Sequence, residues 1–150
     1  LANELAPDLV ILDVKMPGMD GLSAAEEIAR SGERAVVVLT AFSQRDLVER
    51  ARDAGALAYI VKPFQRNDLL PALEVALGRH AEMRTLAAEI PDADERTEAR
   101  RTLDRAKSSL MDQHGMAEQE AWQYLQSQAA AAGKKVFEIA SDVADGVLAP

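Results

Sequence analysis

The sequence predicts an α/β fold: a parallel sheet, followed by a small three-helix bundle that a long helix joins to it. Three short apolar runs, rich in β-branched residues, alternate with segments whose apolar residues recur at helical spacing. This pattern indicates right-handed β-α-β units in a parallel sheet. After the third run only helical patterns follow. Each apolar run also ends in a polar residue, which indicates a ligand site at one edge of the sheet.

The composition fits a globular protein without disulfides or a thiolate metal site. The 150 residues contain no cysteine, and 48% of them are apolar, enough for a buried core. The formal net charge of −8 argues against broad affinity for nucleic acid, so any RNA contact must be local and we expect no DNA partner. No apolar run reaches the ~20 residues that cross a bilayer, and no secretory leader pattern opens the chain. We therefore expect a cytoplasmic protein without a membrane partner.

The first predicted strand ends at a carboxylate. Leu9 to Leu12 form an unbroken apolar run that suits a strand buried on both faces, and Asp13 follows it directly. The carboxyl end of such a strand is where open α/β sheets bind ligands. Met16-Pro17-Gly18 then predicts a turn, and Asp20 is placed to cap the helix that follows.

The second strand and helix follow the same plan. Ala35 to Leu39 is another β-branched run, and it ends at Thr40. A helix is predicted from Gln44 to Ala54. Gly55 comes next, in the position that suits a left-handed helix end.

The third strand leads into the long helix. Leu57 to Val61 is the last β-branched run, and Lys62-Pro63 follows it. Asn67 or Asp68 is expected to cap the next helix. That helix tolerates Pro71 only in or near its first turn.

The apolar residues of the long helix alternate spacings of four and three, as in a heptad seam. The seam consists of Leu69, Leu73, Ala76, His80, Met83, Ala87 and Ile90. Two interpretations remain open: one helix packed along the sheet, or a helix that runs past the sheet as a spacer. We place the first domain at residues 1–80, a helical or coiled-coil linker at 81–95 and the helical domain at 96–150.

The three strand ends predict a shared crevice. In a parallel sheet they lie on one edge, so a carboxylate (Asp13), a hydroxyl (Thr40) and an ammonium group (Lys62) converge there. Each residue alone is more often a turn, cap or solvated surface residue. Their convergence indicates a site that can host an anion.

Three motifs in this part of the chain resemble those of receiver domains in two-component response regulators: D-V-K-M-P-G-M-D-G, V-V-V-L-T-A and Y-I-V-K-P-F. The resemblance covers residues 5 to 80 and implies a flavodoxin-like sheet. A complete receiver begins with a further strand that ends in an acidic pair, then a helix and another strand. This sequence lacks them, so we expect an incomplete receiver with an unpaired strand edge, either part of a longer chain or one that borrows a strand.

The resemblance implies a role for each strand-end residue. Asp13 would accept a phosphoryl group from the phosphohistidine of a sensor histidine kinase, and Thr40 and Lys62 would stabilise the phosphate. Thr40 and Tyr59 would form the conformational switch, although ordinary packing at the sheet edge is the alternative for Tyr59. Mg²⁺ would bind Asp13 and the backbone carbonyl of Lys15, weakly or not at all without the acidic pair. The Lys62-Pro63 peptide bond is expected to be cis.

The end of the chain predicts three amphipathic helices and resembles the ANTAR output domain of transcription antiterminators. The similar sequence is R-A-K-S-S-L-M-D-Q-H-G-M-A-E-Q-E-A-W-Q-Y-L-Q and then V-F-E-I-A-S-D-V, within residues 96 to 147. The family implies paired modules, hence a homodimer, that bind RNA hairpins. The candidate RNA contacts are Arg101, Arg105, Lys107, Lys134, Lys135 and Tyr124.

The sequence departs from the ANTAR pattern in ways that weaken the RNA prediction. Ser108 stands where the family has glycine, and Ala117 where it has a serine or threonine cap. Residues 91–150 contain 7 Lys and Arg against 11 Asp and Glu. Our first hypothesis is a phosphorylation-controlled regulator that acts by antitermination. The alternative is a signalling module whose helical domain binds a protein partner, with RNA binding weakened or lost. An enzyme ranks last, because no nucleophile-base pair or cofactor loop is evident.

Overall fold

The structure, a computed structural model, describes residues 2–41 and 45–150, without the side chains of Asn3 and Arg45. The chain divides into two units, residues 1–81 and 82–150, and each is described by itself. The first unit contains α1 (Ala2–Leu5), β1 (Leu9–Asp13), α2 (Gly21–Arg30), β2 (Ala35–Thr40), α3 (Arg45–Asp53), β3 (Ala58–Val61) and most of α4 (Arg66–Glu89). The second contains the end of α4, α5 (Ala93–His114), α6 (Glu118–Ala132) and α7 (Val136–Ala144).

The predicted parallel sheet is confirmed. Its three strands lie in the order β1-β2-β3, and both pairs are parallel. In the register, Leu9 lies opposite Ala35 and Val37 lies opposite Ala58. Because β2 is central, its side chains are buried on both faces, which explains its unbroken apolar sequence.

Alternate residues of β2 belong to two separate apolar cores, as the pleat of a strand requires. Val36 and Val38 pack with side chains of α2 and α3, whereas Ala35 and Val37 pack with side chains of α4. The helices therefore cover both faces of the sheet. The first core adds Leu22, Ala25, Ala51 and Ala54, and the second adds Leu57, Ile60 and Ala76.

The ends of α2 and α3 refine the prediction. Asp20 occupies the N-cap position of α2, but its carboxylate accepts a hydrogen bond from the Ser23 hydroxyl at 3.4 Å and none from a backbone N–H. Gly55 has the expected left-handed conformation, with φ of +85°. Gln44, the predicted first residue of α3, lies outside the described residues.

The beginning of α4 corrects the predicted cap. The helix begins at Arg66, and Asp68, at its third position, accepts the N–H of Gln65 at 2.9 Å instead of serving as the N-cap. Pro71 lies in the second turn of the helix, near the first turn as predicted. Because proline lacks an N–H, the helix loses the hydrogen bond that residue 71 would donate to the carbonyl of Asn67.

The heptad-like seam of α4 is divided between two cores. Leu69, Leu73 and Ala76 pack against the sheet. The His80 ring, through Nε2, hydrogen-bonds to the carbonyl oxygen of Gly32 at 3.0 Å. Ile90, just past the end of α4, packs in the core of the second unit. Of the remaining seam residues, Met83 and Ala87 are exposed.

The second unit is the predicted three-helix bundle. The carboxylate of Asp92 caps α5 by accepting the N–H groups of Asp94 and Glu95 at 3.0 and 2.9 Å. Gly115 and Gly133 end α5 and α6 in the left-handed conformation. The bundle core is formed by Leu86, Ile90, Ala99, Leu103, Ala106, Leu110, Ala121, Trp122, Leu125, Ala129, Val136, Ile139, Ala140 and Val143. Among the helices of the described ranges, none has the length and hydropathy needed to cross a bilayer.

We expect Ala117→Ser to raise the free energy of unfolding of the bundle by about 1 kcal/mol. Ala117 has the extended backbone of an N-cap, with φ of −71° and ψ of 157°. The Glu120 carboxylate already accepts the Ala117 N–H at 2.8 Å, so a serine hydroxyl would complete a capping box. The measurement is urea denaturation followed by the fluorescence of Trp122, the single tryptophan of the chain.

Ala130→Ser is the matched control, because Ala130 is exposed within α6, where serine costs roughly 0.5 kcal/mol. If both variants change stability in the same direction, Ala117 does not limit the stability of α6.

Candidate functional site

The predicted strand ends share one edge of the sheet. Asp13 is the last residue of β1 and lies opposite Leu39, whereas Thr40 is the last residue of β2 and lies opposite Val61. The Lys62 N–H continues the ladder by donating to the Thr40 carbonyl oxygen at 2.7 Å. The backbone therefore brings Asp13, Thr40 and Lys62 to the same edge. The Lys62-Pro63 peptide bond is cis, as predicted.

An ion pair between Asp13 and Lys62 occupies this edge. The Lys62 Nζ donates to Oδ2 of Asp13, and the backbone N–H of Lys15 donates to Oδ1 at 3.0 Å. The hydrogen bond from Lys62, followed by that from Lys15, lowers the pKa of Asp13 below its ordinary value of 3.8. The Asp13 and Lys62 side chains are 32% and 38% exposed. The carboxylate is therefore ionised at neutral pH and accessible to a reactant.

Thr40 and Tyr59 lie on the α3 side of this edge. Thr40 is only 3% exposed, because it shares the face of β2 that packs against α2 and α3. Tyr59 on β3 is 46% exposed. Both side chains line a narrow cleft with Val48 and Ala51 of α3. A movement of Thr40 would therefore change the space beside the Tyr59 ring, and the switch role of the pair stays a prediction.

The residues predicted to bind Mg²⁺ form a small donor set. Asp13 is the carboxylate, and both of its oxygens already accept hydrogen bonds, while Lys15 offers its backbone carbonyl. No group of three or more His, Asp or Glu side chains suited to a metal occurs in the described part of the chain. Mg²⁺ requires octahedral oxygen coordination. These two donors alone do not meet that need.

Gly21 is a residue of the site that sequence reasoning missed. A Cβ at this position would lie 1.9 Å from the carbonyl oxygen of Asp13 and 2.8 Å from Cα of Val14. The Gly21 N–H also donates to the Val14 carbonyl oxygen at 3.1 Å. The absence of a side chain therefore allows α2 to begin directly against the strand end that carries the phosphoacceptor candidate. Its place at the end of the D-V-K-M-P-G-M-D-G motif was the available signal.

Lys107 does not have the exposed position expected of an RNA contact. Its side chain is 6% exposed and its Nζ donates to Glu82 at 2.7 Å and Glu118 at 3.1 Å. Asp104 lies 3.8 Å away. Burial lowers the pKa of Lys107, but the hydrogen bonds and charges of Glu82 and Glu118 outweigh it and raise the pKa above 10.5. Lys107 is therefore a charged internal residue that holds helices together.

The partners of Lys107 could not be found from helical periodicity, because Glu82 lies 25 residues away in α4. Burial raises the pKa of Glu82 above its ordinary value, while the hydrogen bond from Lys107 opposes that shift. Glu89 was also missed: its carboxylate accepts the N–H groups of Val136 and Phe137 at 2.8 and 3.2 Å and so caps α7.

The other predicted RNA contacts remain at the surface. Arg101 pairs with Glu98 at 2.6 Å and Lys134 pairs with Asp142 at 3.0 Å. Lys135 donates to the backbone carbonyl of Glu89 at 3.0 Å. Arg105 is exposed, and the described residues give it no ion pair. Tyr124 is half-buried against the bundle core.

Comparisons with known proteins cover both units. Residues 1–74 match the model of the response regulator receiver domain, and residues 92–143 match that of the ANTAR domain. Transcriptional regulatory protein PdtaR of Mycobacterium tuberculosis is 55% identical over 126 residues, which are 84% of this chain and 62% of PdtaR. Chemotaxis protein CheY of Listeria monocytogenes is 44% identical over 75 residues, 49% of this chain and 63% of CheY.

The chain thus matches less than two thirds of the length of each of these relatives. Among solved structures, a two-component response regulator of the LuxR family from Aurantimonas is 28% identical. That match covers 52% of this chain and 56% of the other, with a TM-score of 0.48.

We expect Gly21→Ala to destabilise the first unit by roughly 1–3 kcal/mol, because the new methyl group would overlap the Asp13 carbonyl. The protection of the buried β2 amides from hydrogen exchange measures this loss of stability. Gly78→Ala is the control: Gly78 is exposed in α4, a Cβ there meets nothing within 4 Å, and the gain in helix propensity is about 1 kcal/mol. Equal protection in the two variants would contradict the close packing at Gly21.

We expect Lys62→Met to raise the pKa of Asp13 toward 3.8, because it removes the largest cause of the lowering. The lowered pKa of Asp13 stabilises the folded state above pH 3.8, and this stabilisation is lost as the pH falls through the pKa of Asp13 in the folded state. The pH-dependent stabilisation should therefore be smaller in Lys62→Met. A carbon-13 NMR titration of the Asp13 carboxyl group measures this pKa. Lys15→Met keeps the backbone N–H and should change the pKa far less; an unchanged pKa in Lys62→Met would contradict the ion pair.

Proposed function

Because this chain belongs to the response regulators that join a receiver domain to an ANTAR domain, we propose that it is a cytoplasmic, phosphorylation-controlled regulator that acts by transcription antitermination through RNA hairpin binding. The single observation that carries the proposal is the Asp13–Lys62 ion pair at the carboxyl edge of the parallel sheet. The relative PdtaR, a transcriptional regulatory protein, supports the output.

Asp13 is the proposed phosphoacceptor. One of its carboxylate oxygens attacks the phosphorus of a phosphohistidine on a sensor histidine kinase, so that an O–P bond forms as the N–P bond breaks and its electron pair returns to the histidine nitrogen. The phosphoryl group brings close to two negative charges. The Lys62 ammonium, which already lies at the carboxylate, neutralises part of that charge, and the Thr40 hydroxyl supplies a hydrogen bond.

The proposed switch uses Thr40 and Tyr59. If the Thr40 hydroxyl moves toward the phosphoryl group, the Tyr59 ring can enter the cleft that both residues line. Phosphorylation then favours a second conformation that already exists in the population. We propose that this conformation forms a homodimer along α4, on which Leu70, Val75 and Leu77 are exposed apolar residues.

The proposed RNA surface consists of the predicted basic RNA contacts that stay exposed. Arg101 and Arg105 lie on α5, and Lys134 and Lys135 precede α7. Such side chains bind the phosphates of a hairpin, while Tyr124 offers an aromatic ring on which an unpaired loop base can stack. Lys107 is not part of this surface, since its charge is buried and paired.

A protein partner for the bundle is the second candidate function. The observation that favours it is the shortage of free cations: Lys107 is internal, and Arg101 and Lys134 are already paired with carboxylates. In that case the receiver would control a protein contact, and RNA binding would be weak or lost.

We expect the chain to take up label from radiolabelled acetyl phosphate at Asp13, and phosphorylation to raise its affinity for RNA hairpins about tenfold, as expected for a modest coupling energy. Asp13→Asn should abolish both effects, whereas Asp8→Asn, which changes another exposed carboxylate, should keep them. The incorporated radioactivity is quantified on a gel. Affinity for RNA is measured by fluorescence anisotropy with hairpins of randomised loop sequence.

Three results would contradict parts of this proposal. Label on Asp13→Asn would exclude Asp13 as the acceptor. Equal affinity of the phosphorylated and unphosphorylated chains for RNA hairpins would exclude control of RNA binding by phosphorylation. Hairpin binding that does not weaken with added salt would exclude phosphate contacts by the bundle. In a separate comparison, Arg105→Gln should bind hairpins more weakly than the control Arg30→Gln.

A further inference from the structure

We propose that a groove on the helical bundle binds a basic amphipathic helix of a partner protein. The groove lies where the first turns of α5 approach the beginning of α7, and its volume is about 710 Å³. All of its lining residues belong to the second unit, and this inference does not depend on RNA binding.

The floor of the groove is apolar. Ile90 and Ala99 are members of the bundle core, and Phe137 is half-buried against that core. Pro91 is exposed at the end of the groove formed by the α4–α5 connection. Two or three apolar side chains on one face of a helix could therefore be buried here, which is the usual way in which a groove recognises a helix.

The walls are acidic. Of the described residues that line the groove, five carry carboxylates and one carries an ammonium group: Glu89, Asp94, Glu95, Glu98, Glu138 and Lys135. Asp94 and Glu95 are exposed, and in the described ranges their carboxylates have no hydrogen bond or ion pair. Two charges are therefore available to an incoming ligand without breaking an existing contact.

The ammonium group of the groove is already engaged. The Lys135 Nζ donates to the backbone carbonyl of Glu89 at 3.0 Å, and the Lys135 N–H is accepted by Glu138 at 2.8 Å. The Glu89 carboxylate caps α7, which fixes the wall on that side. The negative charge that the groove offers to an incoming ligand is therefore mainly that of Asp94 and Glu95.

Charge complementarity selects the occupant. A helix with leucines on one face and lysine or arginine beside them places its apolar side chains on Ile90 and Phe137 and its cations beside Asp94 and Glu95. An acidic or uncharged helix would fill the same volume but would leave these carboxylates unpaired. The partner is therefore a protein with an exposed basic amphipathic helix.

The test uses the full 150-residue chain and two synthetic peptides. One is a helical peptide with leucines at i, i+3, i+4 and i+7 and lysines on the flanks, and the other has glutamate at every lysine position. We expect only the basic peptide to shift the backbone amide NMR signals of Ala99, Thr102 and Phe137. We also expect its affinity, measured by anisotropy, to fall as salt is added.

The double variant Asp94→Asn with Glu95→Gln should bind the basic peptide at least tenfold more weakly, whereas Asp112→Asn, an exposed carboxylate at the other end of α5, should bind it as the unchanged chain does. Circular dichroism and Trp122 fluorescence show whether each variant is folded. Equal binding of the two peptides, equal binding by the double variant, or shifts confined to residues outside the groove would each overturn the proposal.

Discussion

The parallel register of β1, β2 and β3 is the constraint on which the candidate site depends. Because the strands run in one direction, their carboxyl ends meet, and residues separated by up to 49 positions come into contact. The register is held by the buried valines of β2, which pack against helices on both faces. A one-residue slip would exchange the two faces and move Thr40 away from the α3 side. The core of the first unit thus determines where the Lys62 ammonium meets the Asp13 carboxylate.

The elements of the first unit could be predicted because the sequence signals that define them are local. Strand ends, turn residues and helix stops each occupy a few consecutive positions, so Asp13, Thr40 and Lys62 could be placed at one edge from sequence alone. Gly21 could not be assigned its role in this way, since the close approach of α2 to Asp13 exists only in three dimensions. The seam of α4 was ambiguous for a related reason: its regular spacing serves two cores, and spacing does not indicate which surface each residue meets.

Lys107 shows where sequence reasoning fails for charged residues. A lysine on an amphipathic helix is normally exposed, and its burial depends on Glu82 and Glu118, which belong to other helices. Burying such a cluster is costly unless each charge has a partner. Because the pKa of Lys107 is raised, its pairing contributes stability below pH 10.5 and loses it as the pH rises through the folded value. Lys107 therefore contributes to the internal stability of the bundle.

The buried and paired lysines leave acidic and basic groups on different parts of the bundle surface. Lys107 is internal, Lys135 is bound to the Glu89 carbonyl and Arg101 is paired with Glu98, so these cations are already engaged. Asp94 and Glu95, by contrast, have no ion pair within the described part of the chain. Arg105 is exposed elsewhere on the same helix, two turns or more from these carboxylates. A phosphate held at Arg105 and a basic helix held at Asp94 and Glu95 should therefore be attracted to different parts of one small domain, since the screening length of about 8 Å at physiological salt is shorter than the distance along α5 that separates these side chains.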